Sequence, residues 1–522
     1  MILEHIDIRN FRGIARLSLP VTATSMLIGE NTWGKSALLD ALTRVLSPLD
    51  DSPALNNNDF YCDEHQRRAN KCSVELLFAE GEQGTWPSQL RPLLTVRREG
   101  QYRLRYRWQA TVRNGRFFQE TGFPDRMGLD PKQLLQAECC LKQRFPVLRL
   151  RDARFLHVAS PTVTGQPRPP SVTAFNDPVL EQAVAILQQL SADYFRRSDE
   201  TRLLAAGRRS EELQWQELNQ LNHQLAQRSV AQRAPLSAEL VRLFSDGWSI
   251  GAGSVPVTPL ILLENPETRL HPMMLAIVWQ FISLLPGQKL VTTNAAELLS
   301  LVSLEQICRL DRSQGITRSW QLRAEQLPAD DLRRITFHIQ VNRPLALFAR
   351  CWLLVEGETE VWLINELARL SGLSLISEGI RVVEFAQAGL KPLLRYAALT
   401  GIHWHVLTDG DQAGEKYAAI ACSQLSQKQS VRHHLTRFPA RDIEHFLYRN
   451  GFSQVYLQAA RAEQAVSGDI SQVIRRAIQN SAKPSLAISV AQAMAEQGTG
   501  AIPLLLKKMM SRVRGLAQGQ YP

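Results

Sequence analysis

The sequence predicts an α/β protein with two parallel sheets, the first built around a phosphate-binding loop and interrupted by helices, the second flanked by helices. Three observations predict it. Gly29-Glu30-Asn31-Thr32-Trp33-Gly34-Lys35-Ser36 lies between an apolar strand and a helical stripe. Leu260-Ile261-Leu262-Leu263 is a wholly apolar run of the kind that suits a central parallel strand. From Cys351 onward, strand-like and helix-like stretches alternate.

In chain order, Met1 to Arg9 alternates charged and apolar residues, so it lacks the uninterrupted apolar stretch of a signal peptide. Met26-Leu27-Ile28 reads as a short strand, and Leu38, Leu39, Leu42 and Leu46 follow at helical spacing. Otherwise residues 1 to about 160 read as strands. Tyr102 to Trp108 alternates strictly, as a half-buried antiparallel strand does; its arginines either face solvent or offer DNA a basic row beside aromatics. Pro161, Pro167, Pro169 and Pro170 break the pattern, and Asn176-Asp177-Pro178 supplies an N-cap and a first-turn proline. Val179, Leu180, Ala183, Val184, Leu187 and Leu190 then form a helical stripe, with helices continuing to about Phe244. Ser245 to Pro259 is a Gly/Ser/Pro-rich loop before the apolar run. Beyond it come a strand over Trp352 to Val355, a helix over Glu358 to Leu370, a strand over Ile380 to Phe385, a helix over Leu390 to Ala398 and a strand over Trp404 to Leu407. The expected division is an ATPase lobe at 1–165, a helical insertion at 166–244, a second ATPase lobe at 245–340 and a further domain at 341–522.

A chain of 522 residues corresponds to about three units at ~150 residues each. The excess of 60 Lys+Arg over 50 Asp+Glu gives +10 and a pI near 9.4, a field that favours a polyanionic partner. Seven cysteines without zinc-type spacing suit a reducing cytoplasm. The longest apolar stretch, Met273 to Leu285, is interrupted by Gln280 and falls short of the ~20 residues that span a bilayer, so no membrane partner is expected.

Residues 29–36 match G-x-x-x-x-G-K-[ST] in the strand-to-helix context the motif needs. Gly29, Asn31 and Gly34 belong to a loop whose backbone N–H groups close around phosphates, Lys35 would contact the β- and γ-phosphates of ATP, and Ser36 would hold Mg²⁺. Glu264, at the end of the 260–263 run, is the expected acid on the metal side. The G-x-N-x-x-G-K-S loop with Leu262-Leu263-Glu264-Asn265-Pro266-Glu267 and Leu270-His271-Pro272 resembles the ATPase of the SMC, RecF and OLD (overcoming lysogenization defect) groups. Asn10-Phe11-Arg12-Gly13 resembles their opening strand. That resemblance implies a catalytic Glu where this chain has Asn265, and a switch His where it has Asn294. Asn can orient water but cannot take its proton, which points to slow turnover or to ATP used as a latch. Ser249 to Gly253 is the candidate for the loop that closes over ATP bound in a partner subunit.

A second constellation pairs Glu356-Gly357-Glu358-Thr359-Glu360, after an apolar strand, with Asp409-Gly410-Asp411, after another. Carboxylates at the ends of neighbouring parallel strands meet at one rim and repel, so Mg²⁺ or Mn²⁺ is their natural partner. E-G-x-x-E followed by D-x-D resembles the Toprim domain of topoisomerases, primases and OLD nucleases. A P-loop ATPase followed by Toprim resembles the singly encoded OLD-family nucleases, especially their YbjD-like branch. The resemblance implies that Glu356, Glu360, Asp409, Asp411 and Glu444 share metal ions and that Lys483 stabilises charge on the scissile phosphate. It further implies a DNA endonuclease, a homodimer or higher homo-oligomer, and roles in phage defence or DNA repair. The alternatives are an SMC-like clamp that binds DNA without cutting and a primase-like polymerase. Glu358 is expected to face solvent. His403, His405, His433 and His434 are read as strand alternation rather than a transition-metal site, and Arg432, Arg437 and Arg441 either contact phosphate or form a solvated face.

Overall fold

The computed structural model describes residues 1–47, 54–81, 86–96, 101–125, 129–151, 177–190, 211–244, 257–268, 270–313, 315–427, 429–461 and 469–520. The proline-rich stretch, most of the 245–259 loop and the Ser249–Gly253 candidate lie outside them. The chain forms two compact units, Met1–Trp320 and Gln321–Pro522. This division precedes the expected 340/341 boundary because helix Ala329–Ile335, which lies between the two, packs against helix Leu390–Thr400 of the second unit.

In the first unit, β1 (Ile2–Phe11) and β2 (Ile14–Pro20) open an antiparallel sheet, while β3 (Thr24–Ile28) enters a second one. The chain returns to the first sheet with β4 (Lys71–Ala79), β5 (Thr95–Val96), β6 (Tyr102–Arg113) and β7 (Arg116–Gly122), in the order β2-β1-β4-β6-β5 with β7 on β6. β6 buries Leu104, Tyr106, Trp108 and Ala110, while Arg103 pairs with Glu4, Arg105 with Asp125 and Arg107 with Glu75. From Leu104 onward the aromatic row is therefore core, with Tyr102 exposed at its start, and its arginines are held by acids. One helix was not expected in this region. Pro131–Arg144 is started by Asp130, whose side chain caps Gln133 while Gln133 returns the bond to Asp130 N–H; this Asp-Pro-x-Gln signal was legible in the sequence.

The second sheet runs β12-β11-β3-β10-β9-β8, from β8 (Val147–Arg151), β9 (Leu260–Glu264), β10 (Gln288–Thr292), β11 (Ile307–Ser313) and β12 (Ile316–Gln321). β8, β9, β10, β3 and β11 are mutually parallel along that path. Leu38, Leu39 and Leu42 of helix Lys35–Leu46 share one core with inward residues of both sheets. The continuous burial of β9 and β10 follows from cover on both faces.

The second unit holds a four-stranded parallel sheet, β14-β13-β15-β16, formed by β13 (Cys351–Val355), β14 (Ile380–Glu384), β15 (His403–Thr408) and β16 (Leu435–Arg437). Cys351, Leu353 and Val355 join the core of helix Glu358–Leu370 and the C-terminal helices, while Trp352, between them on β13, stacks on Tyr396 of helix Leu390–Thr400. Among the described residues no helix is long and apolar enough to cross a membrane.

Candidate functional site

Two groups of chemistry-bearing residues stand at the C-terminal ends of parallel strands, one in each unit. In the first, Gly34 has φ 95°, and a Cβ there would sit 2.7 Å from Ile14 Cγ1, so the turn from β3 into helix Lys35–Leu46 demands glycine. Lys35 is buried; its ammonium donates to the Gly29 carbonyl and, at 2.6 Å, to Asn294 Oδ1. Burial lowers its pKa to about 8 against the opposing pull of Glu267 and Glu30. Asn31 Oδ1 accepts from Asn294 Nδ2 at 3.4 Å, and Ser36 is exposed in the first helical turn.

Glu264 ends β9 in register with Thr292, the last residue of β10. Its Oε2 pairs with Arg149 Nη2 at 2.6 Å, and Arg149 also holds Asp40 of the loop's helix. Asn265 leaves the strand at φ 46°; its N–H donates to the Thr292 carbonyl at 2.9 Å, and its buried Oδ1 has no hydrogen-bond partner among the described residues. Sequence reasoning missed Glu267. Its two oxygens accept from Asn294 N–H at 2.8 Å and from the Thr293 hydroxyl at 3.0 Å, so it holds the segment that touches Lys35. The signal was the second acid of Glu264-Asn265-Pro266-Glu267.

In the second unit, Glu356 follows β13, Asp409 and Asp411 follow β15, and Glu444 lies in the short helix Ile443–Leu447 after β16. Gly410 makes the last approach possible. A Cβ at this position would fall 2.2 Å from the Ala440 carbonyl oxygen, so only glycine lets the exit of β15 pass the segment leading to Asp442 and Glu444. Glu360 Oε2 accepts from Gly357 N–H at 3.1 Å, Asp411 Oδ1 caps its helix by accepting from Gly414 N–H at 2.8 Å, and Glu358 is exposed. Lys483 Nζ meets Glu444 Oε1 at 3.1 Å as an ion pair.

These charges feel one another. Burial, then Glu360, Glu356, Asp442 and Glu444, push the Asp409 carboxyl up to about 8. Burial and then Asp411 raise Glu356, and burial chiefly raises Glu360, with Glu444 adding to it. Burial would lower Lys483, but Glu444, Glu360 and Asp442 together raise it. The half-buried Glu356 has an Oε2 with no hydrogen-bond partner among the described residues. As the side chains stand, no three His, Cys, Asp or Glu among the described residues are close enough to hold one ion. Hard oxygen donors at neighbouring strand exits, with an unpartnered buried oxygen among them, nevertheless fit a divalent cation, because its charge offsets their mutual repulsion. Sequence reasoning passed over Asp442 and Tyr417; burial, Glu356 and Asp411 raise the latter's pKa.

The histidines have structural work. His405 is fully buried, with Nδ1 2.6 Å from the His433 carbonyl and Nε2 2.9 Å from Thr436 Oγ1, and His434 packs edge-on against Trp404. Arg437 donates to the Gly410 carbonyl at 3.0 Å and to Glu415 at 2.9 Å.

Comparison with known proteins matches residues 1–346 to a family described as a protein of unknown function (DUF2813) and residues 347–411 to the overcoming lysogenization defect protein-like TOPRIM domain. The uncharacterized protein YbjD of Escherichia coli (strain K12) is 40% identical over 551 residues, covering 100% of both chains. Among solved structures, the C-terminal region of the Burkholderia pseudomallei OLD protein is 17% identical over 33% of this chain and 99% of its own, with a TM-score of 0.28. The SMC head domain from Thermotoga maritima is 11% identical over 62% of this chain and 100% of its own, with a TM-score of 0.31.

Proposed function

This chain belongs to the DUF2813 family of YbjD, with an OLD-like Toprim domain in its second half, and from that premise we propose that it is an ATP-regulated, divalent-cation-dependent DNA endonuclease. The observation that carries the reading is the placement of Glu356, Asp409, Asp411 and Glu444 at the exits of β13, β15 and β16, with Lys483 paired to Glu444 at 3.1 Å. Glu356, Glu360, Asp409, Asp411 and Glu444 would hold Mg²⁺ or Mn²⁺. When bound, the cation would supply Lewis-acid stabilisation and an activated water for phosphodiester hydrolysis. Lys483 would hold negative charge on the scissile phosphate. In the first unit Lys35 would contact ATP phosphates, with Ser36 and Glu264 on the nucleotide's Mg²⁺. Asn265 can orient a water there but cannot deprotonate it, which supports ATP acting by binding more than by turnover.

The test is incubation of the protein with supercoiled and linear DNA, with Mg²⁺ or Mn²⁺, with and without ATP. The expected result is metal-dependent cleavage that falls about 10²-fold or more in Asp409→Ala and Glu356→Ala. DNA left intact in every condition, or cut equally by Asp409→Ala, overturns the reading; ATP-dependent retention of uncut DNA would instead favour the clamp.

A further inference from the structure

Beside the acid cluster, three side chains lie in series. Ser471 Oγ is 3.1 Å from His445 Nε2, and His445 Nδ1 is 2.6 Å from Asp442 Oδ1. The order is that of a nucleophile, a base and an orienting acid. The surroundings do not suit acyl transfer, because the Ser471 N–H already donates to Asp469 Oδ1 at 3.0 Å and is not free to receive an oxyanion, and His445 is buried.

We propose that Asp442, His445 and Ser471 form a positioning relay that sets Glu444 and Lys483 for the phosphodiesterase centre. The inference rests on the reading given under Proposed function. Asp442 Oδ1 also accepts the His445 N–H at 2.8 Å, which pins the first turn of helix Ile443–Leu447 and hence Glu444. A carboxylate only accepts, so Nδ1–H donates to Asp442, which turns Nε2 toward the Ser471 hydroxyl. Ser471 lies in the first turn of helix Ile470–Ser481, and the chain leaves the other end of that helix through Ala482 into Lys483.

Twelve residues of helix span about 18 Å. His445 therefore grips one end of the rod, while its neighbour Glu444 grips the residue just beyond the other. Val473, Ile474 and Ala477 bury the helix's apolar face. That packing sets the helix's rotation and depth, and two polar contacts a helix-length apart add a constraint along its axis. The relay thus sets how far Lys483 reaches toward Glu444.

The test compares Ser471→Ala with Ser471→Thr in the full chain. His445→Ala risks misfolding because the ring is buried, so the half-buried serine is the working variant. Hydrogen exchange is read on the metal-free protein, and cleavage is read as separate kcat and KM for DNA. In Ser471→Ala, exchange is expected to quicken at 482–486 as well as in the first turn, and kcat to fall about 10- to 100-fold with KM nearly unchanged. Ser471→Thr is expected to restore both. Exchange altered only at 470–475, kcat unchanged, or alanine and threonine variants equally impaired each overturns the relay. Remote coupling in the exchange data, together with a wild type that never cuts DNA, overturns the proposed function and leaves the mechanical relay standing.

Discussion

Ala482 stands at φ 59° and ψ 153° between two helices, immediately before Lys483. A Cβ in that region costs about 1–3 kcal/mol. Ala482→Gly removes this strain while adding about 0.4–1 kcal/mol of unfolded-state freedom, so the net expectation is stabilisation of about 1 kcal/mol, read as a higher urea midpoint at unchanged slope. A lower midpoint would mean that the alanine is unstrained. Asn265, also left-handed at φ 46°, carries the second argument. Its unpartnered Oδ1 sits where Asp would keep the size, tolerate the backbone and add a proton acceptor. Asn265→Asp is therefore expected to raise ATP turnover at least about tenfold, within the range general-base catalysis supplies. Phosphate release unchanged by this substitution, or brisk in the wild type and unaffected by Asn265→Ala, would remove Asn265 as the cause of slow turnover.

At the scale of elements, β15 joins stability to pH through His405. Burial drives its pKa from 6.5 down to about 3, with the His433 carbonyl opposing and His434 and Arg512 adding to the depression. The native state therefore refuses a proton that the unfolded chain takes up. This contribution is whole above about pH 6.5 and is lost as pH falls from there toward 3, with a limiting slope of about 1.4 kcal/mol per pH unit. His405→Gln, which cannot titrate, should show a flatter decline of the urea midpoint between pH 6.5 and 4; parallel declines would refute the assignment. At the same strand's exit, Gly410→Ala drives a Cβ against the Ala440 carbonyl and is expected to destabilise by several times the about 1 kcal/mol typical of a substitution.

Elements were more legible than contacts. Helix Glu358–Leu370 and the strands β3, β9, β13, β14 and β15 could be read because apolar runs end in turns at their edges, whereas β10, β11, β12 and β16 were missed; the phosphate loop could be read because its glycines are steric necessities. Helix Pro131–Arg144 was hidden by a stretch rich in alternation, although its capping box is local. Glu267, His445 and Ser471 were harder. Each acts through a partner brought near only by the fold, as in the 26-residue separation of His445 and Ser471, and a sequence displays residue types without their neighbours.

At the scale of the whole molecule, each unit gathers charge at the exits of parallel strands, but the two gatherings have opposite characters. The first centres on a buried lysine held by Asn294 and the Gly29 carbonyl; the second centres on mutually repelling acids with Lys483 beside them. Under the proposed function a nucleotide polyphosphate would suit the former and a divalent cation the latter, and Asn265 would separate nucleotide binding from turnover. If ATP works as a latch, occupancy rather than hydrolysis should govern cutting. A non-hydrolysable ATP analogue is then expected to stimulate cleavage as strongly as ATP. Lys35→Ala should abolish stimulation by either while leaving the nucleotide-independent cleavage, and Asp409→Ala should lose cleavage while still binding the analogue. An analogue that fails to stimulate where ATP succeeds would make hydrolysis itself the driving step. The Asn265→Asp variant decides between these accounts a second way, because faster turnover empties a latch sooner and should shorten the burst of cutting, whereas it should accelerate a hydrolysis-driven nuclease.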